Sequence, residues 1–277
     1  STHKPPQPED LSEPYSYTGP DPYDVNFLFP LHLATLESDR VKLTPFIPNL
    51  HAATYLAETL AHPSLNEYFS ATPPSSLGDL LHHIEQLRQD PRSIAFAIID
   101  KCTPNPNPVD KKGTPPGFVA LVDASAANLT VDLGRLCVFP AFQRTHVTSN
   151  SVGLLLRYCL ELPTHTSTPG LGMRRVGWGA TSWHDASIRA AQRLGFTREG
   201  ITRWHVAVYN EGKKLMPVRI REGDPLGAVH GGRSDSLMFS FCTDDWEEGG
   251  RERVGELINQ RVQYRSGAFV VKIRIRL

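Results

Sequence analysis

Cysteine is scarce in this chain: Cys102, Cys137, Cys159 and Cys242 are the only four, scattered, with no CxxC among them. With no histidine pair at ligand spacing either, the sequence excludes a disulfide scaffold and a structural zinc site; no metal is expected, and a reducing compartment fits. Neither charge is in excess. The 29 Lys and Arg balance 29 Asp and Glu, so the chain lacks the basic face that neutralises a nucleic-acid backbone, and no nucleic-acid partner is expected. No apolar run approaches the roughly eighteen residues of a membrane span. The opening STHKPPQPED has no apolar signal core, so the expectation is a cytoplasmic protein without a membrane partner. No internal repeat is present. What the chain does have is 277 residues, 40% of them hydrophobic, enough to bury roughly three quarters of its unfolded surface in one large or two small domains.

Prolines crowd the first thirty residues, which predicts an extended arm whose second half, Tyr23 to Phe29, lies against a core. Val41 and Leu43 alternate with polar neighbours in a strand stopped by Pro45. Asn49 is the expected cap of a helix with Ala53, Leu56, Ala57 and Leu60 on one stripe, ended before Pro63. Ser76, three residues before Asp79, opens a second helix closed by Asp90 and Pro91. Strands are predicted over Ile94–Asp100 and Phe118–Asp123, joined by the long polar loop KCTPNPNPVDKKGTPPG. The next strand, Val131–Val138, sets Leu133 and Cys137 opposite Asp132 and Leu136 in the pleat. A polar turn leads to a helix starting near Ser149 and ended by Pro163. Arg175 begins a strand in which Val176, Trp178 and Ala180 alternate with Gly177 and Gly179, small residues that admit the close approach of another group. Asp185 is the expected cap of a helix through Leu194, with Gly195 at a left-handed C′ position. Strands around Phe196–Glu199, Trp204–Tyr209 and Ser234–Phe241 follow, with an insert Gly212–Gly232. The tail begins as a charged helix and ends in the alternating VVKIRIRL, an edge strand or a loose end.

Three places combine polar groups with structural punctuation. In the turn Gln143–Ser149 a strand runs into a helix, so free backbone amides gather at a positive helix terminus suited to a pyrophosphate, with Arg144 adding charge. The competing reading is a capped loop, and the turn has no glycine and fits neither nucleotide-loop fingerprint. In the second, Ser187 lies two residues past Asp185 and can present its hydroxyl to the end of the preceding strand, or be an ordinary first-turn residue. His184 in the same connection is a proton carrier or a solvated loop residue. The third is Asp132, a carboxylate in an apolar strand: a general base if it faces a cleft, a solvent-facing residue otherwise.

In order and content these segments resemble the GNAT superfamily of acyl-CoA-dependent N-acetyltransferases, in the branch similar to RimJ and RimL. The resemblance covers Leu36 to Trp246. It rests on LESDRVKLTPF at the first strand, DLGRLCVFPAFQRTHVTSNSVGLLLRYCLE, and RRVGWGATSWHDASIRAAQRLGFTREGITRWHVAV, with RLGF and the following Glu199 and Gly200 the most specific part. Within the superfamily it is most similar to a subgroup with Gln-Arg-Thr in the pyrophosphate turn, here Gln143, Arg144 and Thr145. That subgroup closes on a strand like GRSDSLMFSF before Asp245-Trp246. The resemblance implies an α+β fold with a mixed sheet splayed between the Val131 and Val176 strands and flanked by helices. The domain is expected over 36–246, with a Pro-rich arm over 1–35 and a helix or strand tail over 247–277.

It further implies acetyl-CoA as cosubstrate, its pantetheine arm in the splay. Cys137 and Val138 would contact the pantetheine, and the backbone of Gln143, Arg144, Thr145, His146, Val147 and Thr148 the pyrophosphate. The family's asparagine three residues before the serine is replaced by His184. The expected activity is acetyl transfer to a primary amine, of a small molecule or a protein N-terminus, by direct attack in a ternary complex. Asp132 would take the amine proton, Ser187 would protonate the thiolate, and His184 would share either role. Glu67, Tyr68, Phe69 and Trp204 are the expected acceptor-side residues, and the protein is expected as a monomer or homodimer. The rival readings are a non-catalytic acyl-CoA-binding module and an acyltransferase that tailors a secondary metabolite.

Overall fold

The computed structural model describes residues 16–69, 71–102, 115–208, 221–225 and 232–259. The first half of the predicted arm, most of the 101–117 loop, most of the Gly212–Gly232 insert and the VVKIRIRL segment lie outside the described residues. The elements run β1 (Val41–Pro45), α1 (Pro48–Ala61), α2 (Leu77–Gln89), β2 (Ile94–Asp100), β3 (Gly117–Ser125), β4 (Thr130–Val138), α3 (Val147–Leu160), β5 (Arg175–Thr181), α4 (Asp185–Leu194), β6 (Thr197–Val208) and β7 (Gly232–Cys242). A single turn α5 (Thr243–Asp245) and helix α6 (Arg251–Asn259) close the order.

The seven strands form one sheet in the order β1-β2-β3-β4-β5-β7-β6, antiparallel throughout except between β4 and β5. A parallel pair needs a crossover, which α3 supplies. Each face of the sheet carries its own core. On one, Val152, Leu155, Leu156 and Cys159 of α3 meet Ala191 and Leu194 of α4, Val254 and Ile258 of α6, and the inward side chains of β1 to β5 and β7. On the other, Ala52 of α1 and Leu80, Leu81 and Ile84 of α2 cover Ala97, Phe118 and Ala120. Gly153 allows the closeness of α3 and α6, because a Cβ there would come within 2.9 Å of Ile258.

Local chemistry decides several boundaries. Ser76 and Asp79 form the predicted reciprocal capping box of α2, and Gly195 ends α4 with φ 99°. Asn49 does not cap α1. The helix begins one residue earlier at Pro48, the position whose missing N–H costs nothing, and the Ile47 amide donates to His51 Nδ1 at 2.9 Å. Likewise His184, not Asp185, is the N-cap of α4, and α3 starts at Val147, ahead of Ser149. The two strands predicted across 196–209 are a single strand, β6, with a register shift between Thr202 and Val206 where Trp204 has φ 53°.

The second half of the arm packs as predicted: Val25, Phe27, Phe29 and Leu31 lie on the core. Tyr158 donates to the Pro30 carbonyl at 2.6 Å, and Asn26 Nδ2 donates to the Arg88 carbonyl at 2.9 Å. Arg88 is held in turn by a buried bidentate pair with Glu85, both bonds 2.8 Å. Among the described residues no helix is long and apolar enough to cross a membrane.

Candidate functional site

β4 and β5 pair only from Thr130↔Arg175 to Leu133↔Trp178. Beyond that rung the two strands separate, β4 continuing to Val138 and β5 to Thr181. The parting coincides with a bulge: the β3 ladder jumps from Ala120↔Gly134 to Phe118↔Cys137, and Arg135 takes φ 53°. An extra residue in one strand bends it and re-aims everything after it. The expected pleat is therefore wrong past Gly134. Cys137 falls on the α1/α2 face opposite Phe118, while Leu136 packs with Leu133 on the α3 side.

The backbone at the gap follows from the ladder. Phe139 donates its amide to the Pro116 carbonyl at 2.9 Å. Alternate residues of an antiparallel ladder turn to opposite sides, so the N–H and C=O of Val138 turn away from β3 toward the opening. Gln143 Nε2 donates to that Val138 carbonyl at 2.9 Å, tying the following turn to the strand end.

In the turn, Arg144 adopts φ 60°, the left-handed conformation that glycine would take without cost and that a side-chain-bearing residue adopts at about 1–2 kcal/mol. Thr145 Oγ1 donates to the Phe142 carbonyl at 2.6 Å and accepts the Val147 amide at 3.3 Å. The amides of Arg144, Thr145, His146, Thr148 and Ser149 meet no acceptor among the described residues. They sit at the N-terminus of a fourteen-residue helix whose N-cap His146 makes no side-chain bond to the helix's own amides. This is the arrangement that binds anions. The His146 ring points inward, its Nε2 3.0 Å from Asp100 Oδ1, and burial lowers its pKa despite that carboxylate. Asp100, Cys102 and His146 bring donor atoms within 4.8 Å of one another, a cluster no spacing rule reveals because it joins β2 to α3.

Asp132 is half-buried on the α1/α2 face. Its carboxylate lies across Gly177 of β5, where a methyl would overlap Oδ1. The small residue thus admits Asp132, whereas at Gly179 a methyl would meet only Met238 Sδ at 3.9 Å. Burial, joined by the nearby Asp123 and Glu199 charges and opposed by Arg175 and His205, raises the pKa of Asp132. No hydrogen bond engages this carboxylate among the described residues, in contrast to Glu199, which Arg175 holds in a bidentate pair on the same sheet.

Ser187 accepts a hydrogen bond from Trp178 Nε1 at 3.0 Å, so its oxygen lies against the middle of β5, at the last rung shared with β4, and not at the strand's end. His184 stacks flat on Tyr68, centroids 3.9 Å apart and planes 3° from parallel. Burial lowers its pKa, with Glu67 and Asp185 pulling upward. His184 and the acceptor-side residues Glu67 and Tyr68 thereby form one cluster. Phe69, half-buried, continues that loop, while Trp204 stands on β6 with 53% of its surface exposed and its amide donating to Asp235 Oδ1. His205 Nδ1 lies 3.0 Å from Ser236 Oγ.

Sequence reasoning missed Tyr55 of α1, whose hydroxyl bonds the Cys137 sulfur and whose pKa burial raises. Burial pushes the Cys137 thiol up to about 11, so it stays protonated at neutral pH. It also missed His83 of α2, whose pKa burial and the Arg135 charge lower. Tyr55 lies off the stripe expected for α1: the helix buries Pro48, His51, Ala52 and Thr59, with Tyr55 packed beside them, and leaves Ala53, Ala57 and Leu60 exposed.

Several solved structures share this architecture. A GCN5-related N-acetyltransferase from Brucella melitensis matches with TM-score 0.61 and 22% identity over 80% of this chain and 84% of that one. A probable GNAT-family acetyltransferase from Chromobacterium violaceum matches with TM-score 0.60 and 19% identity, covering 89% and 99%. RimJ of Mycobacterium smegmatis, in complex with CoA-disulfide, matches with TM-score 0.57 and 15% identity, covering 78% and 88%. No curated protein matches the sequence. Residues 40–197, more than half of the chain, match the acetyltransferase (GNAT) domain. With the parted β4–β5 pair and the amide-lined turn, that match settles the family: the chain is an acyltransferase and belongs to the GNAT acetyltransferases.

Proposed function

We propose that this protein transfers an acetyl group from acetyl-CoA to the primary amine of a small molecule or a protein N-terminus, as a member of the RimJ/RimL-like branch. One observation carries the reading: the gap beyond Leu133↔Trp178 opens beside the outward-turned Val138 backbone and leads to the unpaired amides ahead of α3. Those groups fit acetyl-CoA. A pyrophosphate suits the amides of Arg144 to Thr148 and the positive helix end, and a pantetheine amide suits the backbone of Val138. When bound, the cosubstrate supplies an activated acetyl group and a thiolate leaving group.

The chain's own residues then divide the work. Asp132, its pKa raised by burial and its carboxylate without a hydrogen-bond partner among the described residues, takes, directly or through water, the proton that keeps an ammonium from attacking. Backbone donors beside Val138, on the parted stretch of β4, stabilise negative charge on the carbonyl oxygen. Ser187 receives a donor on its oxygen and so has its own proton to give to the departing sulfur. His184, its pKa lowered, is neutral at pH 7 and with Tyr68 and Glu67 borders the acceptor side. Cys137 takes no covalent part, because its thiol is buried and protonated, which supports direct transfer.

The test is release of free thiol from acetyl-CoA in the presence of a panel of polyamines, amino-acid amides and N-terminal peptides. Amine-dependent release is expected. Binding of coenzyme A with no release for any acceptor leaves an acyl-CoA-binding module instead, and failure to bind coenzyme A overturns the assignment of the gap.

A further inference from the structure

We infer that Trp178 is a positioning residue for the transfer step: its indole N–H fixes and acidifies the Ser187 hydroxyl, acting through Ser187 without touching the reacting atoms. The inference rests on the reading of Ser187 as proton donor to the thiolate. Trp178 occupies the last rung that β4 and β5 share, opposite Leu133. The residue is 4% exposed, its ring set edge-on against Phe196 with centroids 5.4 Å apart. In that packed orientation Nε1 lies 3.0 Å from Ser187 Oγ in the first turn of α4.

An indole N–H can only donate. The bond therefore occupies a lone pair of Ser187 and leaves the serine proton for another acceptor. Without it, a serine in a first helical turn is free to rotate and turn its proton onto a nearby backbone carbonyl, where it serves nothing at the gap. A donated bond also polarises the hydroxyl it lands on, making the O–H a better donor and the alkoxide less costly. The proton leaves Ser187 Oγ as the C–S bond breaks, its electron pair going to sulfur. The serine is then reprotonated by solvent, so the balance needs no other reactant.

Trp178→Phe keeps the ring and removes the N–H. Its expected effect is a fall in kcat of about three- to tenfold, the size of one hydrogen bond, with KM for acetyl-CoA within about twofold of wild type. In a Ser187→Ala background the same substitution should cost nothing further, a coupling that a merely structural role would not produce. If the phenylalanine variant does not fold, benzothienylalanine at position 178 keeps the bicyclic shape with sulfur in place of Nε1–H. Thiol release from acetyl-CoA is the readout, with the best acceptor of the panel or, lacking one, as slow hydrolysis. A wild-type kcat in the Nε1-less protein, or an equal loss in both backgrounds, overturns this inference alone. An undiminished kcat in Ser187→Ala overturns the donor reading on which it rests, and absence of any thiol release overturns the activity.

Discussion

Replacing Gly177 by alanine should separate the position of Asp132 from the stability of the fold. A methyl on Gly177 would overlap Asp132 Oδ1 and sit 2.9 Å from its Cγ, so one of the two must give. The β5 backbone is pinned on both sides, by Asp132 across β4 and by Ser240 across β7. The carboxylate, at the end of two rotatable bonds, is the part that moves. Its displacement costs about 0.5–1.5 kcal/mol of rotamer strain, and alanine returns about 0.5–1 kcal/mol by relieving the entropy cost of a strand glycine. The two nearly cancel, so the melting temperature should stay within a few degrees of wild type, about what 1 kcal/mol shifts in a domain of this size. Catalysis should not survive as well: a mispositioned general base forfeits roughly 10²-fold or more in kcat. Gly177 lies in the zipped part of the β4–β5 pair, below the opening, so affinity for acetyl-CoA should be unchanged.

The assay is thiol release against pH at saturating acetyl-CoA, with Asp132→Asn as the reference for a missing base. Wild-type kcat should fall on the acid side at a pH above the ordinary aspartate range, because burial raises the Asp132 pKa. In Gly177→Ala the displaced carboxylate gains solvent, and the residual acid limb should move down toward the ordinary range. Wild-type kcat in Gly177→Ala beside an inactive Asp132→Asn would show that the carboxylate works from elsewhere. Wild-type kcat in both would remove Asp132 from the chemistry.

Ser187→Ala should lower kcat by about tenfold to a hundredfold with the calorimetric affinity for acetyl-CoA unchanged; an unaltered kcat removes Ser187 from proton transfer. His146 and His184 have pKa values lowered by burial, so the unfolded chain protonates first as pH drops. Their contribution to stability is whole above the unfolded value of about 6.5 and is lost as pH falls toward the folded values. The melting temperature should be flat above neutrality and decline below about pH 6.5, with a shallower decline in His146→Asn; a profile insensitive to that substitution refutes the assignment. Glu85→Gln breaks a pair whose side chains are 5% and 3% exposed and should cost about 3–5 kcal/mol in denaturant unfolding. Because the Arg88 guanidinium also donates to the Asp24 carbonyl, and the Arg88 backbone carbonyl accepts from Asn26 Nδ2, the variant should be cleaved in the arm sooner by limited proteolysis; equal cleavage rates would show that the arm is held elsewhere.

What was legible in the sequence was what neighbours decide among themselves. The Ser76–Asp79 box, the left-handed Gly195 and the stripe of α3 involve residues within a turn or two, and each formed as the pattern requires. Asn49 misled because two cap signals lay side by side, and proline at the first helical position prevailed over an asparagine one residue later. The bulge in β4 left no such mark. Alternation along Val131–Val138 looks the same whether or not one residue is extra, yet that residue decides which face Cys137 occupies.

The site was legible only in fragments for the same reason. Ser187, His184, Tyr68 and Asp132 were each visible as polar groups at a punctuated position, but their pairings cross from α1–α2 to β5–α4 and from β4 to β5. Gly177 shows what is lost. In the sequence it is a small residue inviting something close; the register of a parallel pair, Asp132↔Gly177, names the visitor as a carboxylate of the same chain. In the proposed mechanism the glycine therefore belongs with the base. The missing side chain opposite Asp132 is what lets the carboxylate lie over β5, half-buried and, among the described residues, without a hydrogen-bond donor, and that burial is what raises its proton affinity.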